Sequence, residues 1–435
     1  MKSFLTSSLV AASVLLVTGV ADVIPGVQVS TVFAAEEKKS EKKRRRTPAL
    51  NSRVYSQLAR AQEIADKGDV EGGLEVLDKV KDKAKSLNSY ERAMLFNFYG
   101  FIYYNAERMD EAIAAFEQVV AQQPIPESLE LSTLFSLSQL AMANGNYGKT
   151  LTYLERWEGL NEGKTPVKNY VLKAQANYQA KNYKQALVNI ELAINLQIAD
   201  GFKAEENWYV LQRAIYFDLK QPKKVTAVLE NMVRLFNKPE YWTQLAGMYG
   251  EIGDEAKQLA VMEAAYQQGY VTKKSDLRNL SQIYYFNGLP YKAATVLDKA
   301  IKDNLVDANE KNIKFLAQSW VGAKEYDTAI KSYLKLAELT KNGDAHQQVA
   351  EIYLQQGKFQ KTIDAAEQAD KRGELTNPGN LYLALGMASF NLKQFDKAMA
   401  AFEQGKTIKS SERMASQWLK FVEREKRNAE ALAAN

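Results

Sequence analysis

Small and apolar residues recur along most of this chain in paired blocks, each spaced as in a helix that buries one face. From Thr47 onward the sequence repeats itself. The clearest block is FNFYGFIYYNAERMDEAIAAFEQVVAQQP, with Tyr99-Gly100, Tyr103, Ala112, Phe116 and Pro124 in order. It predicts two antiparallel helices in close approach. Gly100 on the first faces Ala112 on the second, Tyr103 and Phe116 fill the space on either side, and Pro124 stops the second helix. The same frame returns with small pairs Ala61/Gly73, Ser138/Thr150, Ala174/Ala186, Ser281/Ala293, Ala317/Ala329, Ala350/Thr362 and Gly386/Ala398. Two further blocks begin near Trp208 and Trp242, and the first of these departs from the pattern at Gln221-Pro222. That unit is the expected weak point or change of curvature.

These blocks amount to ten helix pairs. The second-helix anchors run from Gly73 to Ala398 in nine steps, a mean of about 36 residues, near the 34 of the tetratricopeptide repeat. The order and spacing of the small and large residues resemble that repeat. Longer turns are expected around 82–92, 124–130, 158–166 and 197–206. The expected fold is all-α: a right-handed α-solenoid of about ten tetratricopeptide helix pairs over 49–409, closed by a capping helix and tail over 410–435. An open stack would expose an apolar end. Ser410 or Ser411 is placed to cap the closing helix. Met414, Trp418, Phe421 and Val422 form its apolar stripe, and Glu423–Asn435 is expected to fray.

The start of the chain has another character. Lys2 precedes an apolar stretch from about Leu9 to Val20, and small residues follow. This is the order of a secretory signal, assigned to 1–35, with cleavage after Ala34 or Ala35, or alternatively after Ala21. An uncleaved anchor is the other reading, but Asp22 and Pro25 interrupt the run before the roughly 20 apolar residues a span needs. The expected location is the periplasm. EEKKSEKKRRR follows, with seven basic residues in eleven. It reads as a disordered arm over 36–48. It is either a solvated leader or, through Lys38–Arg46, a peripheral contact with anionic lipid or an acidic partner.

Composition narrows the chemistry. The 435 residues include no cysteine and one histidine, His346, and the net charge is +5. Disulfides, thiolate metal sites and cysteine nucleophiles are excluded. His346 occupies a position where other units place tryptophan, which favours packing over catalysis. No catalytic set, metal ligands or cofactor-binding loop is found. Nor does the mild positive charge indicate nucleic acid. There are 23 tyrosines, more than a core needs, and they suggest a surface. In such solenoids the first helix of each pair lines the concave side. Its inward positions hold Asn97, Phe101, Tyr104, Asn105, Gln139, Gln175, Tyr178, Gln179, Arg213, Tyr216, Arg278, Gln282, Tyr285 and Gln318. Carboxamides both donate and accept, so a row of them suits an extended peptide backbone. Tyrosines add flat contact area. The groove reads as a site for an uncharged, extended or proline-rich segment; the alternative is a wet groove whose Gln and Tyr only brace neighbouring helices. A basic clamp for acidic C-termini would need Lys and Arg repeated on this face, where Arg213 and Arg278 stand.

MLFNFYGFIYYN (Met94–Asn105), RRRTPALNSRVYSQLARAQ, the PIPE turn at Pro124–Glu127 and GLPYKAATVLDKAI (Gly288–Ile301) go beyond the generic repeat. From about Arg45 to the last repeat the chain resembles the exported tetratricopeptide protein found with the second TonB energy-transduction system of marine gammaproteobacteria. The resemblance implies a periplasmic accessory of a TonB–ExbB–ExbD complex, serving TonB-dependent uptake of ferric siderophores or similar ligands. Periplasmic segments of TonB or ExbD would be its partners, and the proline-rich segments of TonB would suit a Tyr/Gln groove. It implies no catalytic residue and no cofactor. A general envelope-assembly scaffold is the alternative of the same class; an enzyme or ligand carrier is the alternative of another.

Overall fold

The computed structural model describes residues 45–433. The signal segment and most of the basic arm, residues 1–44, lie outside the described residues. Within them the chain forms 21 α-helices and no strand. The first three pairs are α1 (Ser52–Asp66) with α2 (Val70–Lys81), α3 (Ser89–Asn105) with α4 (Met109–Ala121), and α5 (Glu127–Ala143) with α6 (Tyr147–Leu160). Then come α7 (Val167–Gln179) with α8 (Tyr183–Ala199), α9 (Glu206–Asp218) with α10 (Pro222–Phe236), and α11 (Pro239–Glu251) with α12 (Glu255–Gln267). The last four are α13 (Lys274–Phe286) with α14 (Pro290–Lys302), α15 (Glu310–Gly322) with α16 (Tyr326–Leu339), α17 (Asp344–Gln355) with α18 (Phe359–Arg372), and α19 (Pro378–Asn391) with α20 (Phe395–Lys406). α21 (Glu412–Ala433) closes the array. The ten expected pairs are all present, and each helix packs on its neighbours in sequence. Apolar clusters are shared between consecutive units, as where residues from Ala93 on α3 to Trp157 on α6 form one core.

Close approach within a pair depends on small side chains. A Cβ on Gly73 would lie 2.8 Å from the Ala61 carbonyl oxygen, so the backbones of α1 and α2 approach closely there. At Gly100 the nearest neighbour is the Phe116 ring, where a Cβ would come within 2.5 Å. Gly100 therefore makes room for the Phe116 ring. Gly386 does the same for Phe402, at 2.6 Å.

The turn inside each pair has one conformation. Two residues after each first helix comes a left-handed residue: Gly68, Glu107, Gly145, Lys181, Lys220, Gly253, Gly288, Lys324, Gly357 or Lys393. The next N–H then bonds back into the helix, as Arg108 N does to the Tyr103 carbonyl and Gln394 N to that of Ser389. This satisfies carbonyls that would otherwise end unpaired. Pro222 follows the same frame. It is the first residue of α10, as Pro290 is of α14, where a missing N–H costs nothing. The break expected at Gln221-Pro222 is an ordinary helix start.

Both ends carry closures. At the C-terminus Ala415, Leu419 and Val422 are buried, and Trp418 stacks on Phe402 with centroids 5.5 Å apart. Of the stripe assigned from sequence, Trp418 and Val422 pack into the seam, whereas Met414 and Phe421 are exposed. The Ser411 hydroxyl donates to the Gly405 carbonyl at 2.6 Å, which ties α21 to α20. The helix runs past Glu423 to Ala433, and Lys426 reaches Asp396 of α20 at 2.5 Å.

At the N-terminus residues 45–51 form a strap across the starts of three successive first helices. The Asn51 N–H donates to Glu91 Oε1 at 3.2 Å, and Asn88 Nδ2 donates to the Ala49 carbonyl at 2.9 Å. Arg45 reaches Glu130 of α5 at 2.5 Å and Gln123 at 3.3 Å. Glu130 is only 2% exposed and takes a second guanidinium from Arg156 at 2.6 Å. Burial alone pushes its carboxyl up, but the hydrogen bonds from Arg45 and Arg156 outweigh that and hold it below the usual carboxylate range. Arg45, grouped with the basic arm by sequence, is thus committed to an internal carboxylate rather than to lipid.

Candidate functional site

The surplus of tyrosines has a structural explanation first. Tyr99 donates to Asp78 at 2.5 Å, and Tyr382 to Asp370 at 2.7 Å. Tyr153 donates to Glu117, Tyr216 to Glu191, Tyr241 to Glu206 and Tyr249 to Glu230. Every one of these bonds joins a unit to the one before it. A hydroxyl donating to an ionised carboxylate makes a charge-assisted bond stronger than a neutral one. Burial, then the carboxylate, pushes the Tyr216 and Tyr249 phenols up to about 12.

This redistributes the expected groove residues. Tyr216 is 6% exposed and bonded to Glu191, and Asn97 is also buried; both belong to the packing, because the tight stack closes over them. Tyr178 is half-buried, packs on Tyr183 with centroids 5.7 Å apart, and is pushed up to about 12 by burial and by its bond to Asp218. Phe101 lies edge-on to Phe116 at 5.4 Å. Arg213 donates to Gln244 of α11, and burial lowers its pKa. Tyr104, Gln139, Gln175 and Gln179 are half-buried on their helices, and Asn105 is exposed at the end of α3. His346 is half-buried, and burial and then Arg372 lower its pKa.

Three of the remaining four come together. Arg278, Gln282 and Gln318 line one cleft of about 230 Å³ between α13 and α15, with Leu297 of α14 also lining it. Tyr285 does not line it but packs edge-on against Phe315, which does, with centroids 5.3 Å apart. The sequence reading missed Lys311, Lys314 and Phe315, which line the same cleft. Lys314 holds the register on α15 that Arg278 holds on α13, one turn before the glutamine. That shared register is the signal that would have found it. Among the described residues no group of His, Cys, Asp or Glu could hold a metal ion, and no helix is long and apolar enough to cross a membrane.

Residues 95–125 and 379–412 match the Tetratricopeptide repeat family model. These are the pairs α3–α4 and α19–α20, the two in which a glycine admits a phenylalanine ring. No curated protein matches the chain. Among solved structures, the C-terminal part of a TPR repeat-containing protein from Cytophaga hutchinsonii is 16% identical, covering 66% of this chain and 99% of that one, with a TM-score of 0.35. MamA protein is 17% identical over 41% of this chain and 91% of its own, with a TM-score of 0.34. YrrB, described as a TPR protein with an unusual peptide-binding site, is 19% identical over 44% of this chain and 93% of its own, at 0.33. The described chain is an all-α solenoid built of tetratricopeptide repeats, an architecture that serves as a scaffold for protein–protein interaction.

Proposed function

We propose that this protein is an exported, periplasmic adaptor that holds an extended segment of a partner protein, as an accessory of a TonB–ExbB–ExbD system in outer-membrane uptake. The observation that carries the peptide-holding part is the cleft between α13 and α15. Two parallel helices there present the same cation-then-carboxamide pair one turn apart, beside the Phe315 ring that Tyr285 backs. Carboxamides pair with backbone amides, and aromatic rings give side chains a flat seat. The TonB assignment rests on the sequence resemblance, and the export assignment on residues 1–35. Affinity-tagged protein recovered from cell envelopes after crosslinking tests both together. Co-recovery of TonB or ExbD is expected. Recovery of envelope-assembly factors alone would replace the adaptor with a general scaffold, and a cytoplasmic tagged protein would remove the export reading.

A further inference from the structure

The ten second helices share one register. Seven and eleven residues past the left-handed residue of its turn, α8 carries Val188 and Leu192. At the first of these positions the other second helices carry alanine, threonine or a charged residue, and at the second lysine, arginine, glutamine, asparagine or alanine. α8 alone has branched apolar side chains at both, and it holds them in water: Val188 is 59% exposed and Leu192 38%. The opposite side of the helix, with Ala186, Ile190, Ala193 and Ile194, builds the core. α8 is also the longest second helix, 17 residues where the rest have 12 to 15. Ile198 near its end and Phe202 just past it are more than half exposed. A contiguous apolar stripe that the fold does not use marks an interaction site, which a single stray side chain does not.

Consecutive second helices are neighbours on this surface, as the bond from Lys149 of α6 to Glu117 of α4 shows. On α6, the same outward line holds Gly148, Thr152 and Gly159, all exposed, and a Cβ on Gly159 would meet nothing within 4 Å. The surface is thus a ridge, α8, beside a low shelf, α6. Such a surface is complementary to itself: about one twofold axis the ridge of each copy lies on the shelf of the other, as an isologous contact requires. We propose that a second copy of this chain covers it, with the two α8 helices antiparallel and the axis between Leu192 and Asn195. Val188 of each copy then falls against Ala199 of the other, and the two Leu192 side chains meet near the axis. Lys181 and Lys184, exposed at the start of α8, lie against the end that carries Asp200 and Glu205, whereas a parallel pair would stack the lysines of both copies. Asp200 already holds Lys164 at 2.8 Å, so the charges set the direction of the pair and the apolar ridge supplies its core. A patch about 25 Å long across α6, α8 and α10, with axes about 10 Å apart, covers roughly 700 Å², near the roughly 800 Å² each partner gives to a standard interface. The α13–α15 cleft lies between first helices, so it stays open in the pair, and each particle offers two such clefts to a repeated partner.

Sedimentation velocity of the full mature chain over a micromolar concentration series reads the association, and a species of twice the chain mass is expected. Val188→Glu with Leu192→Glu should leave a monomer, and so should Thr152→Trp, which fills the shelf without touching the ridge. All three positions are exposed, so circular dichroism of these variants should match the native chain. Lys331→Glu, at the register of Val188 on α16, is the control and should still pair. The chain has no cysteine, so single cysteines report the direction of the pair. Asn195→Cys should join two copies through a short bismaleimide, whereas Lys184→Cys, more than about 25 Å from its counterpart in an antiparallel pair, should not. A monomer at every concentration overturns the proposal, as does a dimer indifferent to both the ridge and the shelf variants. Joining through Lys184→Cys but not through Asn195→Cys overturns the antiparallel arrangement. These outcomes leave the adaptor reading to the envelope crosslinking, which decides it on its own.

Discussion

Replacing Gly100 by alanine sets two effects against each other. In a helix interior, alanine is favoured over glycine by about 1 kcal/mol. The added Cβ, however, would lie 2.5 Å from Phe116 Cε1 and 2.7 Å from Cδ1 and Cζ. Carbon atoms pack at about 3.5–4.0 Å. The ring has little freedom to retreat, because Phe116 is buried and braced by Phe101 at 5.4 Å. Overpacking of this kind costs about 1–3 kcal/mol, so the net change is a loss of up to about 2 kcal/mol. Gly159 and Gly247 supply the internal control: both are helical, and an added Cβ meets nothing within 4 Å. Their alanine variants should gain stability by the propensity term alone. Thermal melting followed by circular dichroism gives the sign. Amide hydrogen exchange in α3 and α4 localises the loss, which matters because a repeat array need not unfold as one unit. Phe116→Leu in the Gly100→Ala background should recover part of the loss, giving a favourable coupling energy. If Gly100→Ala melts as high as Gly247→Ala, the glycine is not there to admit the ring.

Other outcomes follow from the same structure. Arg45→Ala with Arg156→Ala strands the buried Glu130 charge and should cost about 1–2 kcal/mol, less than the 3–5 of a fully buried pair because both guanidiniums reach water; melting measures it. Because the Glu130 carboxyl is held below its usual range, its contribution is complete above about pH 4.3 and is lost as pH falls through the depressed value. The difference in melting between the native chain and Glu130→Gln should therefore shrink on acidification. Tyr216→Phe leaves Glu191 without its donor and should cost about 1–2 kcal/mol. The Tyr216 phenol is pushed up to about 12, so its contribution is complete below about pH 10 and is lost as pH rises through 12, which an alkaline melting series reads against the phenylalanine variant. Glycine at the left-handed positions Lys181, Lys220, Lys324 and Lys393 should each raise stability by up to about 1 kcal/mol, additively, as strain is relieved.

The ten helix pairs were legible because close helix packing needs small residues at fixed places, and Gly73 or Gly386 cannot be exchanged for larger ones. The turns were half legible: glycine marks Gly145 or Gly357, but Lys181 and Glu107 adopt the same backbone with nothing in the residue type to announce it. Pro222 misled because proline reads as a breaker until its place at the first turn is fixed. The tyrosines misled for a different reason. A phenol that bridges to the previous unit and one that stands by a groove share the same residue type and helical face, and only a carboxylate within reach of the hydroxyl separates them. Tyr216 bridges, whereas Tyr285 stands by the cleft. Arg45 was hidden by its neighbours, since a run of like charges reads as solvated, and its partner Glu130 lies 85 residues away.

The tie between Arg45 and Glu130 has a practical consequence for anyone who trims this molecule. A fragment begun at Ser52 holds every helix and looks complete by inspection, yet it discards the backbone groups that Asn88 and Glu91 engage and one of the two cations that neutralise Glu130. The smallest faithful piece starts earlier, at Arg45. A protease that cut among the neighbouring arginines would slacken the first three repeats without severing a single helix.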